Sequence, residues 1–479
     1  MRWQKIVFIL IVLITIIGSL WYLYDFASQP VFRDYVADEV WYVPAARNVL
    51  HRLGVELSYV NETTGSKGIN IIFSNQSMRI KYQFRVEKIA MGHGATYERE
   101  YLKFPGVYFE IPINEFEPFL EELHEEVPEG AYYTVPGFWY PDKDNIQNYL
   151  NTEHPFLGKD IIMLGMLLED EPINWRLPGI VSFALIELLV VLATYRISGS
   201  RLASLIALAF VAVDPTLQAM SVVAMLDIYV ALFVALFVFF LAYERHRLAA
   251  FAVGLAGSTK LSGAFGWPVL LGWAFKREKS IVRFFATIAV LPAVGFLLPN
   301  VPAMVAVGPE TWLREFLGSF KWHLSDKGGH SAASPVWEWF INREAFALHY
   351  GPDVFAQTDP VLLISMVILI LALPWLYRKK PGILAPFGVF WSTVLLFFLQ
   401  YVLGGTTQFS FYATALVPPA AVVMGVALSE LLKWEAFRES LRFYMEWFLK
   451  VIGWVKERLR KPGPREMETD ITSSENRPG

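Results

Sequence analysis

This sequence predicts a polytopic α-helical membrane protein of about ten or eleven spanning helices, with a small extracytoplasmic α+β insert in its first outer loop. Three observations point there. Of 479 residues, 54% are hydrophobic, 15% aromatic and only 18% charged, with mean hydropathy +0.39, too little charge to cover a soluble protein of this length. Apolar segments follow one another almost without pause from Leu177. The Lys and Arg residues of the short connections all fall on one side once those segments are read as spans.

The first span comes from Met1–Tyr24, where Arg2 and Lys5 precede a long apolar run that ends in Trp21, Tyr22 and Tyr24. A signal peptide would carry a shorter apolar core and a small-residue cleavage site, so this reads as an uncleaved span with a cytoplasmic N-terminus. Further spans are expected to begin near Leu177, Leu202, Val222, Leu248, Ala264, Ile281, Pro360, Ile383 and Phe409. Arg196 and Arg201, Arg245 and Arg247, Lys276 to Arg283, Arg378 to Lys380 and the basic C-terminal segment then share the N-terminal side. Two long segments, Asp25–Trp175 and about Pro299–Asp359, face outside. The chain is therefore expected in the cell membrane.

The first outer segment holds the insert, from about Leu53 to Tyr140. Residues 79–87 alternate apolar and polar, which predicts a strand with one wet face, and Val107 to Ile113 alternate likewise. Asn114, Glu117 and the run Phe116–Leu123 predict a capped short helix. Two glycosylation sequons, Asn61-Glu62-Thr63 and Asn75-Gln76-Ser77, lie on this loop and are near chance for its length. The domain order is thus 1–52, first span and acidic motif; 53–140, insert; 141–430, membrane core; 431–460, a cytoplasmic amphipathic helix; and 461–479, a disordered tail.

Asp38 and Glu39 lie just beyond the first span, and adjacent carboxylates on a helix point in different directions, so they can serve two roles. A solvated acidic pair would look the same. Lys159 and Arg176 are cations at the outer surface, where a lipid phosphate sits, although snorkelling explains either alone. Asp227 and Lys260 are charges at or near the bilayer, and such charges are paired or functional. Without cysteine there are no disulfides, no thiolate catalysis and no cysteine-ligated zinc.

Taken in order, these residues resemble the protein O-mannosyltransferases of the GT-C superfamily of polytopic glycosyltransferases. Asp38-Glu39 resembles that family's acidic pair, and His154-Pro155-Phe156-Leu157-Gly158-Lys159 its His-Pro-Pro-Leu-(Ala/Gly)-Lys motif. Trp175-Arg176-Leu177-Pro178 resembles its Trp-Arg-x-Pro entry to the second span. Val213-Asp214-Pro215, Met225-Leu226-Asp227, Lys260-Leu261-Ser262-Gly263 and Ser334-Pro335-Val336-Trp337-Glu338-Trp339 follow in its order. Phe156 replaces the second proline, and the later outer loop is too short for the β-trefoil domain of the eukaryotic members; the pattern looks prokaryotic, of archaeal type.

The resemblance implies transfer of a sugar, mannose in that family, from a polyprenyl (dolichyl) phosphate to a Ser/Thr hydroxyl of an extracytoplasmic protein, with inversion. It implies Asp38 as the base and Glu39 as holding the acceptor or the base. The leaving phosphate needs fixed cations: Arg176 and Lys159 first, with His154 and Lys260 behind them, Lys260 paired with Asp227. No metal or cofactor is required, and no nucleic acid is expected as a partner. Members of the family often dimerise, but no interface is legible. The same resemblance covers aminoarabinose transferases that act on a lipid acceptor. A secondary transporter would show a repeated pair of interrupted helices, which the sequence lacks, and a scaffold would leave the ordered motifs unexplained.

Overall fold

The computed structural model describes residues 2–325 and 329–459. The tail expected to be disordered, 461–479, lies outside them. Helix α1 (Arg2–Ala27) is followed by α2 (Glu39–Arg52) and then by the insert, whose elements are β1 (Val60–Asn61), β2 (Ser66–Phe73), α3 (Gln76–Gly92), β3 (Tyr97–Glu100), β4 (Gly106–Pro112), α4 (Phe116–Glu126) and β5 (Tyr132–Pro136). The sheet is antiparallel and five-stranded, in order β1-β2-β4-β3, with β5 also pairing with β2. One face carries Ile69, Ile71, Val107, Phe109 and Ile111 against Val86, Ile89 and Ala90 of α3 and Phe116, Phe119 and Leu123 of α4. The other face carries Ile72, Tyr108 and Val135, and packs with Tyr101, Tyr140, Ile146 and Trp41 of α2. Strand β4 is therefore buried on both faces, not on one.

Residues 79–87 form part of helix α3 rather than a strand. The Asn75 side chain caps it by accepting the Met78 N–H at 3.0 Å, and the buried positions Arg79, Val86, Ile89 and Ala90 keep helical spacing. Ile80 and Phe84, which the alternation assigned to a core face, are 78% and 79% exposed. Helix α4 stands where it was expected, but a short 3-10 turn over Ile113–Glu115 precedes it, and Asn114 does not cap it.

Helix α5 (Leu157–Met166) leads to α6 (Pro172–Ser198), which starts on a proline and ends at Gly199 with φ 68°. Then come α7 (Arg201–Ala212), α8 (Pro215–Ser221), α9 (Asp227–Ala242), α10 (His246–Thr259), α11 (Trp267–Arg277), and α12 (Ile281–Phe285), α13 (Leu291–Leu297) and α14 (Val301–Val307), which together make one long helical span. The segment expected to be the later outer one holds α15 (Pro309–His323), α16 (Val336–Trp339) and the hairpin β6 (Phe346–His349) and β7 (Val354–Ala356). Helices α17 (Pro360–Lys379), α18 (Leu384–Val402) and α19 (Val417–Leu431) close the membrane core.

Among the described residues, six helical stretches are long and apolar enough to cross a membrane: 3–27, 172–198, 281–307, 360–379, 381–402 and 410–431. The chain is a multi-pass membrane protein. The ten or eleven expected spans also include four shorter segments, which that length does not select. Helices α7 and α8 form a single path bent by 59° at Asp214, whose carboxylate caps α8 through the Leu217 N–H at 2.8 Å. Helix α9 has 16 residues, α10 has 14 and α11 has 11. At ~1.5 Å per residue these reach roughly 16–24 Å, short of the ~30 Å hydrocarbon. The later outer segment also starts later than expected, because Pro299 and Asn300 sit inside the 281–307 span. Glycines 254 and 295 let α10 and α13 touch backbone to backbone: a Cβ at either would collide with the carbonyl oxygen of Pro292 or Phe251.

Residues 430–459 form a separate unit, dominated by α20 (Trp434–Leu459), a single amphipathic helix of 26 residues.

Candidate active site

The segment before α2 turns at Ala37, which has φ 49°, and delivers Asp38 and Glu39 at the start of the helix with opposite surroundings. Glu39 is fully buried. Its Oε1 accepts from Arg176 Nε at 2.8 Å and the Ala224 N–H at 2.7 Å; its Oε2 accepts from Arg176 Nη2 at 2.7 Å and the Val36 N–H at 2.8 Å. Arg176, also fully buried, donates in addition to the carbonyls of Phe32 at 2.5 Å and Asp34 at 2.8 Å. This bidentate pair ties the 32–39 segment to α6 and to the turn before α9. Glu39 has no carboxylate edge left for an acceptor, and Arg176, fully buried with four of its N–H groups held by protein, does not present its guanidinium to a lipid phosphate.

Asp38 is only partly buried and keeps a different company. Burial raises its carboxyl above the usual carboxylate range; Lys260 pulls it back, Asp227 pushes it up, and His330 pulls it down. Three elements distant in sequence therefore bring their charges to Asp38. Lys260 Nζ donates to Asp227 at 3.0 and 3.2 Å, and it sits 3.8 Å above the Tyr412 ring and 5.2 Å from that of Phe411. Lysine and aspartate are each almost fully buried, so the pair neutralises two charges that neither could hold alone.

Lys260 also borders a cavity of about 250 Å³. Its polar end has Lys260, Ser262, His323, Gln400 and Tyr412; its apolar walls come from the end of α15, from α18 and from Phe265. Phe320, Leu324, Leu399 and Leu403 line it and are also 45%, 46%, 47% and 60% exposed. Part of the cavity's apolar lining is thus itself on the surface of the protein.

The His154-to-Lys159 motif is brought alongside but is used differently from the expectation. Lys159 is fully buried and donates to the carbonyls of Asn151 at 2.5 Å and His154 at 2.9 Å, with the Phe156 ring 3.9 Å from Nζ. Burial lowers its ammonium to about 7. It shapes the 150–156 turn and has no path to a phosphate. Phe156, at the position where the resemblance expects proline, supplies that cation–π face. The His154 ring lies 5.2 Å from His323 and 6.0 Å from Tyr42, one helical turn after Asp38.

Several participants carried no legible signal. Arg47 and Asp170 form a second fully buried bidentate pair, at 2.7 and 3.0 Å, and Asp170 also accepts from the Phe138 N–H and Trp175 Nε1. It fastens α2 to the head of α6 and to the insert. Tyr412, His323 and His330 reach the site from late segments with no motif of their own. The His330 ring meets Phe409 edge-on at 5.1 Å, within the aromatic wall that continues to Tyr412. Among the described residues, no group of three or more His, Asp or Glu could hold a metal ion.

No family model and no curated protein matches the sequence. Among solved structures, ArnT from Cupriavidus metallidurans bound to undecaprenyl phosphate aligns at TM-score 0.48 and 14% identity, over 92% of this chain and 62% of that one. The same protein in the apo state aligns at 0.42 and 16%, over 60% and 52% of the two chains. The Archaeoglobus fulgidus oligosaccharyltransferase in the apo form aligns at 0.33 and 15%, over 60% and 44%. The chain spans less than two thirds of each of these proteins. At such identities and scores the likenesses assign neither residues nor a reaction, and function rests on the site.

Proposed function

We propose that this chain is a GT-C-type membrane glycosyltransferase that transfers a sugar, mannose on the motif resemblance, from a polyprenyl-phosphate donor to a hydroxyl of an extracytoplasmic protein. One observation carries the reading: a partly buried carboxylate, Asp38, lies in the field of a buried lysine, Lys260, that borders a cavity with exposed apolar lining. A lipid phosphate needs that combination, a cation at the polar end and an apolar exit for the tail.

In this reading the tail leaves past Phe320, Leu324, Leu399 and Leu403, and the phosphate lies beside Lys260 and His323. Asp38 takes the proton of the acceptor hydroxyl. The acceptor oxygen bonds to the anomeric carbon from the face opposite the phosphate, the carbon–oxygen bond to the phosphate breaks, and the electron pair leaves on the phosphate. Lys260 offsets the charge that develops there, while Asp227 holds its ammonium in place. Glu39, Arg176 and Lys159 keep the backbone around Asp38 rigid rather than touching substrate.

Sugar transfer from radiolabelled polyprenyl-phosphate mannose, in membranes carrying the wild type, Asp38→Asn or Lys260→Met, tests this. The expected result is label in protein with the wild type, and at least about a hundredfold less with either variant at equal folded protein. Label in lipid would keep the reaction and move the acceptor to a lipid or glycan. Full transfer by Asp38→Asn would remove the base assignment, and no transfer from any polyprenyl-phosphate sugar would overturn the reading.

A further inference from the structure

We propose that α20 is an interfacial anchor: it lies flat in the surface of the membrane that α19 crosses, held by apolar area rather than by charge. The helix is continuous over 26 residues. At ~100° per residue, Phe448, Val455, Leu441 and Ile452 mark the centre of a broad apolar arc, with Trp434 at the angle of Ile452 and with Trp447 and Trp454 at one edge. The opposite sector, roughly 80° wide on the same count, holds Glu435, Glu439, Arg442, Glu446, Lys450 and Glu457. Arg438 and Lys456 stand at the boundary between the two, where long stems can lie on apolar surface and lift their charges to water.

Within residues 430–459 nothing covers the arc. Leu441, Met445, Trp447, Phe448 and Trp454 are 51%, 66%, 58%, 60% and 55% exposed. A helix left so in water would be an aggregation surface. Chain connectivity names the occupant. The span 410–431 ends three residues before Trp434, and two intervening residues reach no more than about 10 Å. The helix therefore begins at a membrane surface and meets lipid at high local concentration. It does not cross the bilayer, since Arg438, Arg442, Glu446 and Lys450 would fall within the hydrocarbon. Residues 434–459 hold five Lys and Arg (Arg438, Arg442, Lys450, Lys456, Arg458) against four Glu (Glu435, Glu439, Glu446, Glu457). That near balance gives little attraction to anionic headgroups, so buried area dominates the binding.

The chain has no cysteine, so single-cysteine variants of the whole protein carry a spin label without background. Phe448→Cys and Val455→Cys probe the apolar arc, and Glu446→Cys and Lys450→Cys the polar sector. In phosphatidylcholine proteoliposomes, labels at 448 and 455 are expected to collide several-fold more with oxygen than with a water-soluble nickel chelate, and labels at 446 and 450 the reverse. Adding anionic lipid or raising salt to about 0.5 M, where charges are screened within a few ångströms, leaves the pattern unchanged. Equal nickel access on both faces would place the helix in water. Exclusion of both reagents at 448 and 455 would mean a protein covering, from this chain or a second copy. Release by salt would mean that charge holds it. Each of these three results overturns the proposal.

Discussion

Asp38 and Glu39 are neighbours in sequence with opposite fates, and the difference is a matter of partners. Glu39 spends both oxygens on Arg176 and two backbone amides, whereas Asp38 is only partly buried and feels Lys260, Asp227 and His330. Glu39→Gln leaves the Arg176 charge buried without its counter-ion, and such a loss costs about 3–5 kcal/mol. Thermal unfolding in detergent should show that drop, and the double variant Glu39→Met with Arg176→Met should recover much of it. If Arg176 instead bound the donor phosphate, the double variant would leave KM for donor raised however stable it became. For Asp38, the sign of the pH dependence follows from its raised carboxyl. The base is active only when ionised, so the transfer rate should climb with pH through a midpoint above the ordinary carboxylate range. A rate already level at pH 4.5, just above the ~3.9 of an ordinary aspartate, would contradict this. The acidic pair was visible in the sequence, but which member was consumed by structure was not: Arg176 and Ala224 lie more than a hundred residues away.

At the scale of elements, alternation misled where a helix needed only a narrow seam. Residues 79–87 alternate, yet α3 buries Arg79, Val86, Ile89 and Ala90 and leaves Ile80 and Phe84 outside. Ile80→Ser should therefore change stability by no more than about 0.5 kcal/mol, while Val86→Ser should cost about 2 kcal/mol or more by leaving a void and an unpaired hydroxyl in the insert core. Chemical denaturation followed in both variants separates the helix from the strand, because a strand would make Ile80 the costly position. Asn75, which the sequence marked only as part of a glycosylation sequon, is the residue whose side chain caps this helix. Helices α9, α10 and α11 are shorter than the other apolar helices, and apolar composition alone does not tell burial against neighbouring helices from burial in lipid. The polar breaks that shorten them, at Asp227 and Lys260, are where the site forms.

At the scale of the molecule, the cavity is made by the meeting of the end of α15, the C-terminal half of α18 and the turn after α10. If the polyprenyl tail passes there, Phe320→Ser combined with Leu324→Ser should raise KM for a long-chain donor roughly tenfold, since two apolar contacts are lost, and leave KM for a short, water-soluble donor analogue almost unchanged. An equal effect on both donors would place the tail elsewhere. The sequence by itself determined the membrane class, the first span and the ordered charged motifs, because hydropathy and residue type are local properties. The tertiary structure alone decided that Arg176 and Lys159 brace the backbone, that Lys260 borders an apolar cavity, and that Tyr412, His323 and His330 join it. The reason is physical: whether a buried charge is a brace or a tool depends on how many partners saturate it, and those partners are brought together by packing between segments far apart in the chain.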